Sequence, residues 1–243
     1  MANKSKTQDR DRRAKVEAMR REQQARERRK SVLFIAIAVV IGVGLVVAAA
    51  LPPYLKSRND PTKKSLSSFG VAASAAACGA VINDPPTKSG VHVGPGTNTP
   101  TKTRVKYTTV PPSSGEHFVT PVVPAKAFYT AKDRPPMENL VHNLEHGYTI
   151  IWYDSTVTGK QLSDLKNISQ SARRTAAAGS TGKFIVSAWD TSYGAFPAGK
   201  HIALSHWAAK QGHRELCGKV SGAVVNTFMK TFPYTDSPEP NAA

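Results

Sequence analysis

His142, Glu145 and His146 fall within five consecutive positions of the stretch Glu138-Asn-Leu-Val-His142-Asn-Leu-Glu145-His146-Gly147. On a helix, side chains four apart share a face, so both imidazoles point the same way, with Glu145 three positions from His142. Two imidazoles and a carboxylate are transition-metal donors. The order His-x-x-Glu-His is that of the inverted zinc peptidases, in which the histidines bind zinc and the glutamate activates water. Those enzymes carry the pattern inside a long helix with a distant acidic third ligand. Here Gly147 closes the helix after roughly two to three turns. Glu215, the acid available as third ligand, falls in a segment with a core-helix pattern. A metal site without proteolysis fits better, with Glu145 as ligand, as partner to a ligand, or as the one candidate catalytic base.

Such a site needs a third donor. His117 is the first choice, because Pro111-Pro-Ser-Ser-Gly-Glu-His117 is a Pro/Gly-shaped loop of the kind that holds a functional side chain rigidly. His206 and Glu145 come next. His92 falls on the stalk side and looks incidental. An imidazole-rich donor set suits zinc or copper. The structural alternative is that His146 only caps free carbonyls in the last helical turn, while His142 is a buried polar residue partnered by Glu145. Ser113 and Ser114 lack a strand–turn–helix elbow and read as turn formers. Trp152, Trp189 and Trp207 read as core anchors.

The positioning elements follow from periodicity. Glu138–His146 is a short helix after Pro135-Pro136, with Leu140, Val141 and Leu144 on one side. Tyr148–Tyr153 is a buried strand and Thr158–Ala178 a helix. Lys183–Trp189 and His201–Trp207 are strands, and Arg104–Val110 alternates like a half-buried strand. From Gly212, the spacing of Leu216, Val220, Val224 and Phe228 predicts a final helix of about 20 residues, stopped by Pro233. The expected class is α+β, a small sheet with packed helices.

The organisation around this domain is set by charge and hydropathy. The 243 residues carry a formal charge of +16. Residues 1–30 hold twelve Lys/Arg against five Asp/Glu, so +7 comes from an eighth of the chain. Val32–Leu51 is an uninterrupted apolar run of 20 residues. At helical rise it spans roughly 30 Å, the thickness of a bilayer core. It exceeds the roughly 7–15 apolar residues of a cleaved signal peptide, although Ala48-Ala-Ala50 resembles a cleavage site. The basic flank predicts a cytoplasmic N-terminus and an extracytoplasmic C-terminal domain. A tail lying against an anionic leaflet accounts for the charge without nucleic acid. Cys78 and Cys217 are the only cysteines, and one disulfide suits an oxidising compartment. The expected plan is a basic cytoplasmic tail (1–31), a transmembrane helix (32–51), a stalk (52–77), an extracytoplasmic domain (78–234) and a disordered tail (235–243).

The loop ending at His117 and Val141-His-Asn-Leu-Glu-His-Gly147 together resemble the paired signatures of the domain of unknown function 3105 family, common in actinobacteria. The resemblance runs from about Val105 to Glu239, taking in Ser187-Ala-Trp189 and Ser237-Pro-Glu239. It implies one N-terminal membrane anchor and one site containing His117, His142, Glu145, His146 and Gly147. It implies no activity. Asp190 departs from the glycine expected after Trp189. The resulting expectation is a single-pass membrane protein with a histidine-rich zinc or copper site outside the membrane. One alternative is an envelope interaction or assembly module with structural histidines, partnered by another envelope protein. The other is a metal-dependent envelope hydrolase using Glu145.

Overall fold

Apolar residues dominate the central strands because the sheet they form is covered on both faces. In β5 (Thr149–Tyr153), Ile151 and Tyr153 join one core cluster and Ile150 and Trp152 the other. In β6 (Phe184–Ala188), Phe184, Val186 and Ala188 take the first side and Ile185 the second. In β7 (Ile202–Trp207), Ile202 and Leu204 oppose Ala203 and Trp207. With β1 (Ile82–Asn83), β4 (Phe128–Tyr129) and β8 (Gly212–Cys217), these strands form a six-stranded mixed sheet in the order β1-β8-β7-β5-β6-β4. β6 pairs in parallel with β4 and β5, and the remaining pairs are antiparallel. A separate parallel pair joins β2 (His92–Val93) to β3 (His117–Phe118).

This computed structural model describes residues 2–242, with side chains from Arg12 onward. It divides into two units, 1–59 and 60–243. The first is one helix, α1 (Ala2–Asn59), which contains the apolar run and continues through Pro52 and Pro53. Proline's fixed φ is helical, so the pair removes hydrogen bonds without forcing a stop. The helix is long and apolar enough to be a candidate membrane span or a signal sequence. The side chains of Lys4, Lys6 and Arg10 in the basic tail, and residue 243, lie outside the described residues.

In the second unit, α3 (Gly159–Ala172) crosses between the parallel strands β5 and β6 and buries Leu165, Ile168 and Ala172. α4 (Gly222–Thr231) starts at Ser221, whose hydroxyl accepts from the Val224 amide, and buries Val224, Val225, Phe228 and Met229. α2 (Met137–Glu145) lies with the other cluster, burying Met137, Leu140, Val141 and Leu144.

Four expectations need correction. The final helix is split: 212–217 is strand β8, and the helix begins only at Gly222. β7 would otherwise expose an unpaired edge, and pairing residue by residue with β8, from Ile202↔Cys217 to Trp207↔Gly212, outweighs helical spacing. Arg104–Val110 joins no sheet, its Val105 N–H donating instead to Glu138 Oε1 at 2.8 Å. Part of the expected stalk is core: Leu66 and Phe69 are buried in turns packed on α4. The segment after Thr235, expected to be disordered, is tied down as far as Ala242, because Lys183 Nζ donates to the Pro240 and Ala242 carbonyls at 2.8 and 2.7 Å.

Candidate metal centre

α2 is placed by its polar residues as much as by its apolar ones. Asn139 Nδ2 donates to the Thr120 carbonyl at 2.6 Å, and the Asn143 amide exchanges two hydrogen bonds with the Val122 backbone. His142 Nδ1 lies 2.7 Å from the Phe118 carbonyl. Residues 139, 142 and 143 thus grip the chain just after β3 from one helix face. Glu138, in the first turn, accepts from Val105 N–H and Tyr193 O–H. At the other end Gly147 takes φ +88°, and a Cβ there would sit 2.6 Å from the Tyr234 carbonyl. Only glycine fits.

This grip brings β3 against α2, and β2 arrives through its pairing with β3, His92 lying opposite His117. The three rings converge. Centroids of His92, His117 and His142 are 4.6–5.0 Å apart. One donor atom from each of His92, His117, His142 and Glu145 lies within 4.8 Å of every other.

The tautomers follow from the partners. His117 Nδ1 faces the Gly115 carbonyl at 2.8 Å and His142 Nδ1 the Phe118 carbonyl. A carbonyl only accepts, so Nδ1 carries a proton in both rings, and Nε2 is the atom of each that is left to bind a cation. Glu145 Oε1 accepts from the Gly90 amide at 2.5 Å, leaving Oε2 at 3.0 Å from His117 Nε2 without the alignment of a hydrogen bond. Among the described residues, three buried side-chain atoms have no hydrogen-bond partner: His92 Nε2, His117 Nε2 and Glu145 Oε2. All three belong to this cluster. Buried polar atoms are nearly always satisfied, and these three belong to one group of donors close enough together to hold a metal ion.

The electrostatics agree. Burial pushes the His142 imidazole down to about 4, against the pull of the Phe118 carbonyl, so the ring is a neutral donor at neutral pH. Burial alone would raise the Glu145 carboxyl. His117, the Gly90 amide and His142 outweigh it and hold the group below its ordinary value as a carboxylate. Three imidazoles and one carboxylate suit zinc or another imidazole-preferring divalent ion. A tetrahedral zinc with bonds of about 2.0–2.1 Å keeps its donors about 3.4 Å apart, close to the His117–Glu145 spacing.

A family model described as a protein of unknown function (DUF3105) matches residues 98–243. The chain belongs to the DUF3105 family. No curated protein and no solved structure matches it. The DUF3105 match takes in His117, His142, Glu145 and His146, whereas His92 lies just before it.

Of the residues singled out in the sequence, His117, His142 and Glu145 come together. His146 lies beside them, its ring 4.5 Å from that of His142 and its Nε2 3.4 Å from Glu239 Oε2. His206 is engaged elsewhere, Nε2 facing Asp236 Oδ1 at 2.7 Å. Glu215 sits in β8 beside the disulfide joining Cys78 to Cys217, and burial raises its carboxyl. Ser113 is buried and donates to Asp84, which also holds Arg214. The incidental reading of His92 is overturned, since the β2–β3 bridge carries it into the cluster. Gly90-Val-His92-Val-Gly94 does alternate like a short strand, but nothing local names β3 as its partner. In the sequence Glu239 likewise stands only in the Ser237-Pro-Glu239 motif, and the fold makes it a neighbour of His146.

Proposed function

We propose that this DUF3105 protein is a membrane-anchored extracytoplasmic domain that holds one divalent transition ion, zinc or copper, on His92, His117, His142 and Glu145. The observation that carries the reading is the set of three orphaned buried atoms within one cluster of donor groups. The ion would join three segments, β2, β3 and α2. Its role is then to lock the domain. Four protein ligands describe a closed structural site. With Glu145 wholly buried, the hydrolase alternative lacks an accessible base. The anchor is supported by the apolar helix and its basic flank, and the extracytoplasmic side also by the disulfide.

One observation favours a second reading. The 3.0 Å approach of His117 to Glu145 also suits a buried imidazolium–carboxylate pair. Metal content and melting of the full-length chain in detergent separate the two. The metal reading expects about one equivalent of zinc or copper after purification without chelator, lost in Glu145→Gln. Reloading stripped protein with ion at a hundred times Kd should add about 2.7 kcal/mol of stability. Protein that holds no metal, takes up none on titration and melts unchanged by chelator sinks the metal reading and leaves the ion pair.

A further inference from the structure

Three of the four inner donors are buried and His92 is half-buried, so an ion must be led in, and from Glu145 and His142 through His146 to Glu239 the side chains step towards solvent. His117 and Glu145 are 0 % exposed, His142 4 % and His146 6 %, while the Glu239 side chain is 47 % exposed. The line is unbroken: His142 and His146 rings are 4.5 Å apart, and His146 Nε2 is 3.4 Å from Glu239 Oε2. One donor atom from each of Glu145, His146 and Glu239 lies within 4.8 Å of the others. Glu145 therefore belongs to two donor sets, an inner one with three histidines and an outer one that reaches solvent. Its Oε2 is fully buried and has no hydrogen-bond partner.

Glu239 is built into this position by its backbone. Its amide donates to the Glu145 carbonyl at 3.1 Å. Lys183, a buried lysine, donates from Nζ to the His146 carbonyl at 2.7 Å and, from the same ammonium, to the Pro240 and Ala242 carbonyls. One cation thus clamps the helix end that carries His146 to the segment that carries Glu239.

We infer that His146 and Glu239, with Glu145, form a second, outer cation position through which the buried centre is loaded. The inference rests on the metal reading above. The outer set offers one imidazole and two carboxylates to the same divalent ion the inner set prefers. An ion captured there exchanges water for protein ligands one at a time. It reaches His142 and the inner set without being stripped bare, which a small divalent ion resists.

Stopped-flow uptake of Co²⁺ by metal-stripped full-length protein in detergent, followed by cobalt absorption, tests this. Glu239→Gln keeps the backbone amide bond that docks the segment and removes the outer charge. Uptake and chelator-driven release should both slow about tenfold, the scale on which neighbours of metal ligands act, with the inner equilibrium affinity unchanged. The wild type should show a second, weaker Co²⁺ equivalent that Glu239→Gln lacks and Glu239→Asp restores in part. Equal rates and equal stoichiometry in wild type and Glu239→Gln, with the inner site still filling, overturn the outer position alone. A wild type that takes up no Co²⁺ overturns both it and the metal reading. Should Glu239→Gln unfold, His146→Gln carries the same comparison.

Discussion

His92 lies directly opposite His117 across a two-residue parallel bridge, with ring centroids 4.9 Å apart and both Nε2 atoms buried without a hydrogen-bond partner. Two segments 25 positions apart are held in register so that their imidazoles face a third ring on α2. If the cluster holds the proposed ion, exchanging either ring should act on that same ion. His92→Ala is expected to weaken zinc or copper binding by about 10- to 100-fold or more, the range found when groups around a metal are lost. His206→Ala removes the Asp236 contact instead, costing about 1–3 kcal/mol of stability with metal affinity unchanged. Isothermal titration and urea unfolding of both variants measure the contrast. Unaltered affinity in His92→Ala would remove that residue from the centre.

Gly147 couples the end of α2 to the C-terminal segment. Its φ of +88° and the Tyr234 carbonyl, 2.6 Å from where a Cβ would stand, make Gly147→Ala a double insult of strain and overlap. The expected cost is about 1–3 kcal/mol from the backbone alone, with more from the clash. Hydrogen exchange should show faster exchange of the Glu239 amide, which bonds to Glu145. A variant as stable as the parent, with that amide still protected, contradicts this account.

His213 gives the domain an acid-side dependence away from the metal centre. Burial pushes its imidazole down, with His206 adding to the shift and Asp236 and Asp84 opposing it. The unfolded chain takes up this proton near 6.5 and the folded one only at lower pH. The stability present above that pH is thus lost as pH falls below it. In urea titrations between pH 7.5 and 5, His213→Gln should lose less stability than the parent. Parallel curves for the two proteins would rule the contribution out.

The Cys78–Cys217 bond closes a loop with a sequence separation of 139. In the chain-entropy account such a loop stabilises by about 4–5 kcal/mol. It fastens the segment before β1 to the end of β8. The paired variant Cys78→Ser/Cys217→Ser should unfold at markedly lower urea than the oxidised parent, and a reductant should move only the parent. Identical midpoints with and without reductant count against a stabilising role.

Much of this protein could be read without its fold. The 20-residue apolar run and the twelve preceding basic residues define the candidate span, because bilayer thickness acts on sequence length directly. Pro135–Gly147 carries its own helix start, face and glycine stop, so helical period alone sets His142 and His146 on one face, and their rings lie 4.5 Å apart. The apolar runs at 148–153, 183–189 and 201–207 read as strands of an α+β domain, and β5, β6 and β7 form within them.

Tertiary structure decided the rest. Residues 212–217 carry helical spacing yet form a strand, because β7 needed a partner. Leu66 and Phe69 lie in a Ser/Lys-rich stretch that reads as linker, and packing on α4 and α3 in the folded domain buries them. The fourth member of the His/Glu cluster shows the limit most clearly. His92 has no local signal beyond a Val-His-Val alternation, since a parallel bridge leaves no turn in the sequence to announce it. Helical spacing fixes which groups share a face over one or two turns. Which distant ring joins them depends on a register that exists only after the chain has folded.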